Sequence, residues 1–161
     1  MRKKIMTIRE YRTAFHENGT PYLIEKMSKD TDLIHTLSDP QNICTMMCML
    51  WQANRLPEEH VWVIGVDAKA KPVGVFEISI GDTTKSAISI PSIFRNLLLT
   101  NVYAFFLVHN HPSGDIDPSE DDIKLTKRIE KAGKTLGLQL LDHVIIGTDQ
   151  YLSMKLDKAE E

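Results

Sequence analysis

The sequence predicts a mixed α/β domain, and three observations predict it. Apolar runs rich in β-branched residues stand at 61–66 and 73–80, and a continuous apolar run, "VYAFFLV", stands at 102–108. Between that run and the apolar "LQLLDHVIIG" lies "SEDDIKLTKRIEKAGKTLG", with helix formers, helical apolar spacing and a closing glycine. Strands interleaved with a capped amphipathic helix bury their apolar faces as a sheet covered by helices.

Taken in order, residues 1–56 read as a helical, polar-rich segment broken by "ENGTPY" and "SDPQN". Ser38 or Asp39 can cap a helix whose first position is Pro40, where a missing N–H costs nothing, and that helix should run to about Asn54. The sequon Asn18-Gly19-Thr20 reads as a turn. From "EEHVWVIGVD" onward the pattern changes, so a second unit is expected over 57–161. Its first two strands pair around the turn-like "DAKAKP", and "IPSIFRNLLLT" predicts a short helix from about 91 to 100. "VYAFFLV" reads as a strand buried on both faces. The long helix starts at about Ser119 and closes at Gly137, and "LQLLDHVIIG" and "QYLSMKL" supply two more strands around "GTDQ". The expected architecture is a curved, mostly antiparallel sheet flanked by the two helices of 57–161, with the helical N-terminal segment packed alongside.

Composition narrows the function classes. With 42% hydrophobic and 25% charged residues and a net charge of −3 over 161 residues, the chain resembles an ordinary soluble protein and carries no bulk attraction for nucleic acid. The start, "MRKKIMTIREYRTAFHENG", lacks the apolar stretch of a secretory signal, and no run approaches the ~20 apolar residues of a membrane span. A cytosolic location is the expectation. The cysteines, Cys44 and Cys48, sit four apart in the Met-rich "ICTMMCMLW" and read as packed thiols.

The densest chemistry is "HNHPSGDIDPSEDD" at 109–122, at the end of the apolar strand. On an extended segment His109 and His111 project to one side and Asn110 to the other. Asp122, Leu125, Ile129, Ala132 and Leu136 are spaced three, four, three and four, which places a carboxylate on the core-facing stripe of the long helix. An inward carboxylate needs a partner, and a divalent cation shared with two imidazoles provides one. Two His, one Asp and a water match the ligand count of an open catalytic zinc site. Ser119 and Asp122 also match a capping box, a purely structural use of the same residues. Pro112, Gly114 and Pro118 are expected to turn the helix start back toward the histidines.

His-x-His, seven residues, Ser, two residues, Asp is similar to the JAMM (MPN+) metalloprotease signature, met by His109, His111, Ser119 and Asp122. "HNHPSGD", "PSEDD", "LDHVIIG" and the spacing from about Glu58 to Leu156 resemble the JAB domain of the RadC family. The resemblance implies a JAB/MPN-like, cytidine-deaminase-like curved mixed sheet flanked by helices. It also implies Zn²⁺ on His109, His111 and Asp122, lowering the pKa of a bound water to about 7. Ser119 would then donate a hydrogen bond to the developing oxyanion.

The resemblance also implies a glutamate outside the motif that shuttles the proton. Glu59, which precedes the first strand of this unit as the catalytic glutamate does in that family, is the first choice, with Glu58 and Glu77 as alternatives. Asp142-His143 in "LDHVIIG" are candidates to support a ligating imidazole, whereas His16, His35 and His60 show no converging partners. The function implied is a zinc-dependent hydrolase, a metallopeptidase or isopeptidase on a protein or peptide. The alternative is a DNA-repair-associated or protein-interaction module whose metal is structural. Helix-hairpin-helix-like segments usual in that family have no clear counterpart in residues 1–56. Lys124, Lys127, Arg128, Lys131 and Lys134 form a basic helix face, for which weak, salt-sensitive nucleic-acid contact is the most a charge of −3 predicts. A zinc deaminase is disfavoured, since His-x-Glu and Pro-Cys-x-x-Cys are missing.

Overall fold

The computed structural model describes residues 5–81 and 88–157; the basic start at 2–4 lies outside them. The chain opens with two strands, β1 (Met6–Phe15) and β2 (Pro21–Thr31), paired antiparallel across a turn in which Gly19 takes φ 81° and the Asn18 side chain accepts from Thr20 N–H. The helical expectation for residues 1–56 is thereby corrected: among the described residues there, only α1 (Pro40–Trp51) and a 3₁₀ turn at Ala53–Arg55 are helical. The reason is physical. One face of β1 buries Ile8 beside Glu10, and β2 is held largely by charged partners, Arg9 with Glu25 and Lys26 with Glu10, so apolar alternation is absent although Asn-Gly marks the hairpin.

α1 begins as predicted, with the Asp39 side chain accepting from Asn42 N–H and Pro40 in its first turn. It ends at Gln52, which adopts φ 54°. There follow β3 (His60–Val66), β4 (Pro72–Ile80), α2 (Ile90–Leu99), β5 (Ala104–Asn110), α3 (Glu120–Leu136), β6 (Gln139–Ile146) and β7 (Tyr151–Ser153). The strand expected over "QYLSMKL" stops at Ser153 and turns into α4 (Met154–Asp157).

The strands form one seven-stranded sheet in the order β2-β1-β4-β3-β5-β6-β7. β3 pairs antiparallel with β4 and β5, whereas β1–β4 and β5–β6 are parallel. α3 is the crossover joining the parallel pair β5 and β6. Each face of the sheet carries a core. Ile43, Met46 and Met47 of α1 pack with Trp62, Ile64, Phe106 and Val144; on the other side Ile93 and Leu97 of α2 and Ile129 of α3 pack with Val61, Val63, Phe105 and Leu107. β3 and β5 are therefore buried along their whole length; of "VYAFFLV" only Ala104–Val108 belong to the strand, and Tyr103 before it is exposed.

The core stripe of α3 is shorter than expected. Leu125, Ile129 and Ala132 pack inward but Leu136 is exposed. At buried Gly133 a Cβ would lie 2.4 Å from the Leu138 carbonyl oxygen, so glycine lets the last turn of α3 pack against the chain entering β6, and the helix closes at Gly137 with φ 73°. Among the described residues, no helix is long and apolar enough to cross a membrane.

Candidate metal centre

The buried strand β5 delivers its last residues to the end of the sheet beside the start of α3. His109 lies in register with Val61 of β3, and so on the face that α3 covers. His111 leaves the strand, its N–H bonded to Ile146 O, and the loop turns at Gly114, which adopts φ 84° and donates to His111 O. A Cβ at Gly114 would meet Thr148 Oγ1 at 2.9 Å, so both the conformation and the space call for glycine. This turn returns the chain so that α3 begins against the histidines.

Asp122 sits in the first turn of α3 and serves two structures at once. Ser119 N–H and Oγ–H both donate to its Oδ2, at 2.8 and 2.7 Å, while Asp122 N–H donates to Ser119 Oγ, completing the capping box. The same carboxylate faces the imidazoles: Oδ1 lies 3.4 Å from His109 Nε2 and Oδ2 lies 3.6 Å from His111 Nε2. The two Nε2 atoms are 2.8 Å apart. Capping and convergence coexist. Ser119 is brought to the site, but its hydroxyl is engaged with Asp122.

Each imidazole is anchored through its other nitrogen. His111 Nδ1 lies 2.7 Å from Asp115 O, and His109 Nδ1 lies 2.7 Å from His143 Nε2. The supporting pair expected at 142–143 divides: His143 stands behind His109, whereas Asp142 accepts from Ser153 Oγ and Lys155 N–H. Alternation along β6 explains the split.

Of the three glutamates considered, Glu59 joins the cluster. One donor atom from each of Glu59, His109, His111 and Asp122 lies within 4.8 Å of all the others. Tetrahedral zinc with bonds near 2.0–2.2 Å separates its ligand atoms by roughly 3.3 Å, close to the spacing of the imidazole and carboxylate atoms here. The group could hold a metal ion. Glu77 instead accepts from Lys26 and contacts His60 Nδ1 at 3.0 Å, and Glu58 is exposed.

The electrostatics agree with the geometry. The hydrogen bond with Asp122 raises the His111 pKa, burial opposing it. Burial alone would push the Asp122 carboxyl up, yet bonds from His109 and His111 hold it well below the usual carboxylate range. A half-buried anion faces two imidazole nitrogens, an arrangement that suits a cation between them.

Sequence reasoning passed over two residues. His60 was set aside as unpartnered, but it pairs with Glu77 and stacks on Trp62 at 5.2 Å. Asn110 was noted only for pointing away from the histidines; its side chain, which the strand buries, bonds the chain on either side of Glu59. A polar residue between two site residues at the end of a buried strand was the available signal.

Known proteins match the stretch of chain that contains this site. The family model for the RadC-like JAB domain matches residues 37–159. A UPF0758 protein of Coprothermobacter proteolyticus is 39% identical over 101 residues, covering 63% of this chain and 43% of the relative. Another from Desulfitobacterium hafniense is 35% identical over 129 residues, covering 80% of this chain and 56% of the relative. A third, from Carboxydothermus hydrogenoformans, is 40% identical over 101 residues, 63% of this chain and 45% of its own. The chain thus spans about half the length of the curated relatives it matches. On the reach of the family match and the site that it covers, this chain belongs to the RadC-like JAB domain family.

Proposed function

We propose that this chain is a zinc-dependent hydrolase, a metallopeptidase or isopeptidase acting on a protein or peptide. The observation that carries the reading is the convergence of Glu59, from the residue before β3, on His109, His111 and Asp122. His109, His111 and Asp122 would hold the zinc, which when bound supplies an activated water and a Lewis acid for a carbonyl.

The chain's own groups do the rest. Glu59 arrives from a separate element and is not tied into the capping box, so its carboxylate is the group free to take a proton from water and return it to the leaving amine nitrogen. Ser119 Oγ, by rotating off Asp122 Oδ2, would donate to the oxyanion, a contact worth roughly 10²–10³ in rate. In this reading residues 57–161 carry the chemistry, while β1 and β2 extend the sheet and α1 covers one face of it, in a cytosolic protein.

The test is metal analysis of the purified protein followed by peptide-library cleavage with and without chelator. Chelation should abolish cleavage, His109→Ala and Asp122→Ala should lose zinc with activity, and Glu59→Gln should keep zinc and lose activity. Zinc-replete protein that cleaves nothing counts against the reading. A second reading, a non-catalytic interaction or DNA-repair-associated module with a structural metal, is favoured by the double use of Asp122, since an ion there would tie α3 to β5. Tight DNA binding at physiological salt that survives Asp122→Ala would support it.

A further inference from the structure

We propose that Asn110 is a positioning residue that fixes Glu59 relative to the two histidines; the proposal rests on the reading of Glu59 as the base. Asn110 is 1% exposed and lies between His109 and His111, facing away from them. Its Oδ1 accepts from His60 N–H at 2.7 Å, and its Nδ2 donates to Glu58 O at 3.0 Å. These are the chain groups on either side of Glu59. The carbonyl of Glu59 itself accepts from Gly81 N–H at 2.9 Å.

The backbone around Glu59 is thus held by three bonds, two of them from one side chain. That side chain belongs to the strand end that presents both imidazoles, so base and ligands share one reference point. Regular pairing does not provide this, because Glu59 precedes the first residue of β3 and lies outside its ladder. The contact requires an acceptor and a donor on one short planar group: Asp supplies only the acceptor, Leu neither. The partners fix which amide atom goes where, since a backbone N–H must meet oxygen and a carbonyl must meet the NH₂. On the neighbouring residue, the His60 ring is pinned by Glu77 and Trp62. A displacement of about 1 Å at a proton-transferring group can cost on the order of 100-fold in rate, so such a clamp has a function to protect.

A residue that only satisfies buried backbone groups would stabilise the fold without governing where the Glu59 carboxylate sits. The distinguishing measurement is the ¹³C signal of the Glu59 carboxylate in Co²⁺-loaded full-length protein, whose pseudocontact shift reports its vector to the ion. Wild type, Asn110→Ala, the near-isosteric Asn110→Leu, and Asn96→Ala, which removes a remote buried asparagine bonded to Thr13, are compared. The signal is assigned with Glu59→Gln. Both Asn110 variants should move or broaden the Glu59 signal while Co²⁺ affinity changes by less than about threefold, and Asn96→Ala should leave it in place. Should Asn110→Ala not fold, Asn110→Leu decides alone.

An unchanged Glu59 signal in a folded Asn110 variant overturns the proposal, as does an equal change in Asn96→Ala. If wild type cleaves peptides, Asn110→Ala should lower kcat roughly 10–100-fold with KM nearly unchanged, and should add nothing in a Glu59→Gln background. A displaced Glu59 signal in a protein that cleaves nothing leaves the clamp standing and the hydrolase reading fallen. Cleavage by wild type with an unmoved Glu59 signal gives the reverse.

Discussion

His143 stands directly behind His109, with its Nε2 2.7 Å from His109 Nδ1 and its Nδ1 2.6 Å from Thr126 Oγ1. The polarity of this relay follows from its far end. Thr126 Oγ–H donates to Asp122 O, so its oxygen accepts from His143 Nδ1–H, and His143 Nε2 must accept from His109 Nδ1–H. With a metal bound, which requires a neutral imidazole, this polarity would leave the His109 lone pair on Nε2, the atom that faces Asp122.

A relay that sets tautomer and ring orientation contributes to metal affinity. His143→Ala should bind zinc about 10–100-fold more weakly, as loss of a supporting partner typically does. Chelator competition on the folded variant measures this. Wild-type affinity would show that His109 does not depend on the relay.

Asp122 is the point where helix capping and metal binding can be separated. Asp122→Asn keeps an oxygen able to accept from Ser119 but removes the charge, so it should lose most of the zinc and, without metal, the part of the stability that the histidines' bonds to the anion contribute. Asp122→Ala removes both and should cost about 1 kcal/mol further, the scale of a lost cap. Urea unfolding in excess chelator, paired with zinc content, reads the two effects apart. Equal stability for Asn and Ala would mean that the capping box contributes nothing measurable.

Most of the sheet and the site was legible because both are written locally. The run at 102–108 is apolar at every position, Pro40 and Gly137 mark helix ends, and His109, His111, Ser119 and Asp122 lie within fourteen residues joined by a constrained turn. Glu59 was legible only through the family resemblance, since fifty residues separate it from His109 and nothing local sets it apart from Glu58. The hairpin β1–β2 was hidden because its strands are joined by charged and polar pairs such as Arg9–Glu25 and Thr7–Asp30, which imitate an exposed helix. His60 and Asn110 escaped because their partners come from β4 and from backbone beside Glu59, contacts with no signature in local spacing.

Glu10 gives the hairpin a specific dependence. It is 1% exposed within β1, where it accepts from Lys26 Nζ at 2.9 Å and from Trp51 Nε1–H at 2.7 Å, linking β1 to β2 and to the end of α1. Glu10→Ala leaves the partly buried Trp51 indole N–H without Glu10 and Lys26 with Glu77, so a loss of about 2 kcal/mol is expected, below the full buried-pair value because Lys26 is partly exposed. Glu10→Gln keeps an acceptor for Trp51 and should lose about half as much. Urea unfolding followed by Trp fluorescence measures both, and equal stability of the two variants would remove Trp51 from the account.

Cys44 and Cys48 lie side by side on α1 with their sulfurs 3.8 Å apart, and both are half-buried. The bond between them splits their acidities: the Cys44 thiol donates to Cys48, lowering the Cys48 pKa to about 7 against the opposing effect of burial, while Cys44 is pushed up. Because the thiolate is the nucleophile, alkylation by iodoacetamide should rise with pH through a midpoint near 7 and then level off, with label on Cys48 alone. Cys44→Ala removes the donor and should move that midpoint toward the ordinary thiol value of about 8.5. Mass spectrometry of peptides labelled across a pH series gives the midpoint and the site together. Equal labelling of both cysteines, or a midpoint indifferent to Cys44→Ala, would show that the two sulfurs titrate independently.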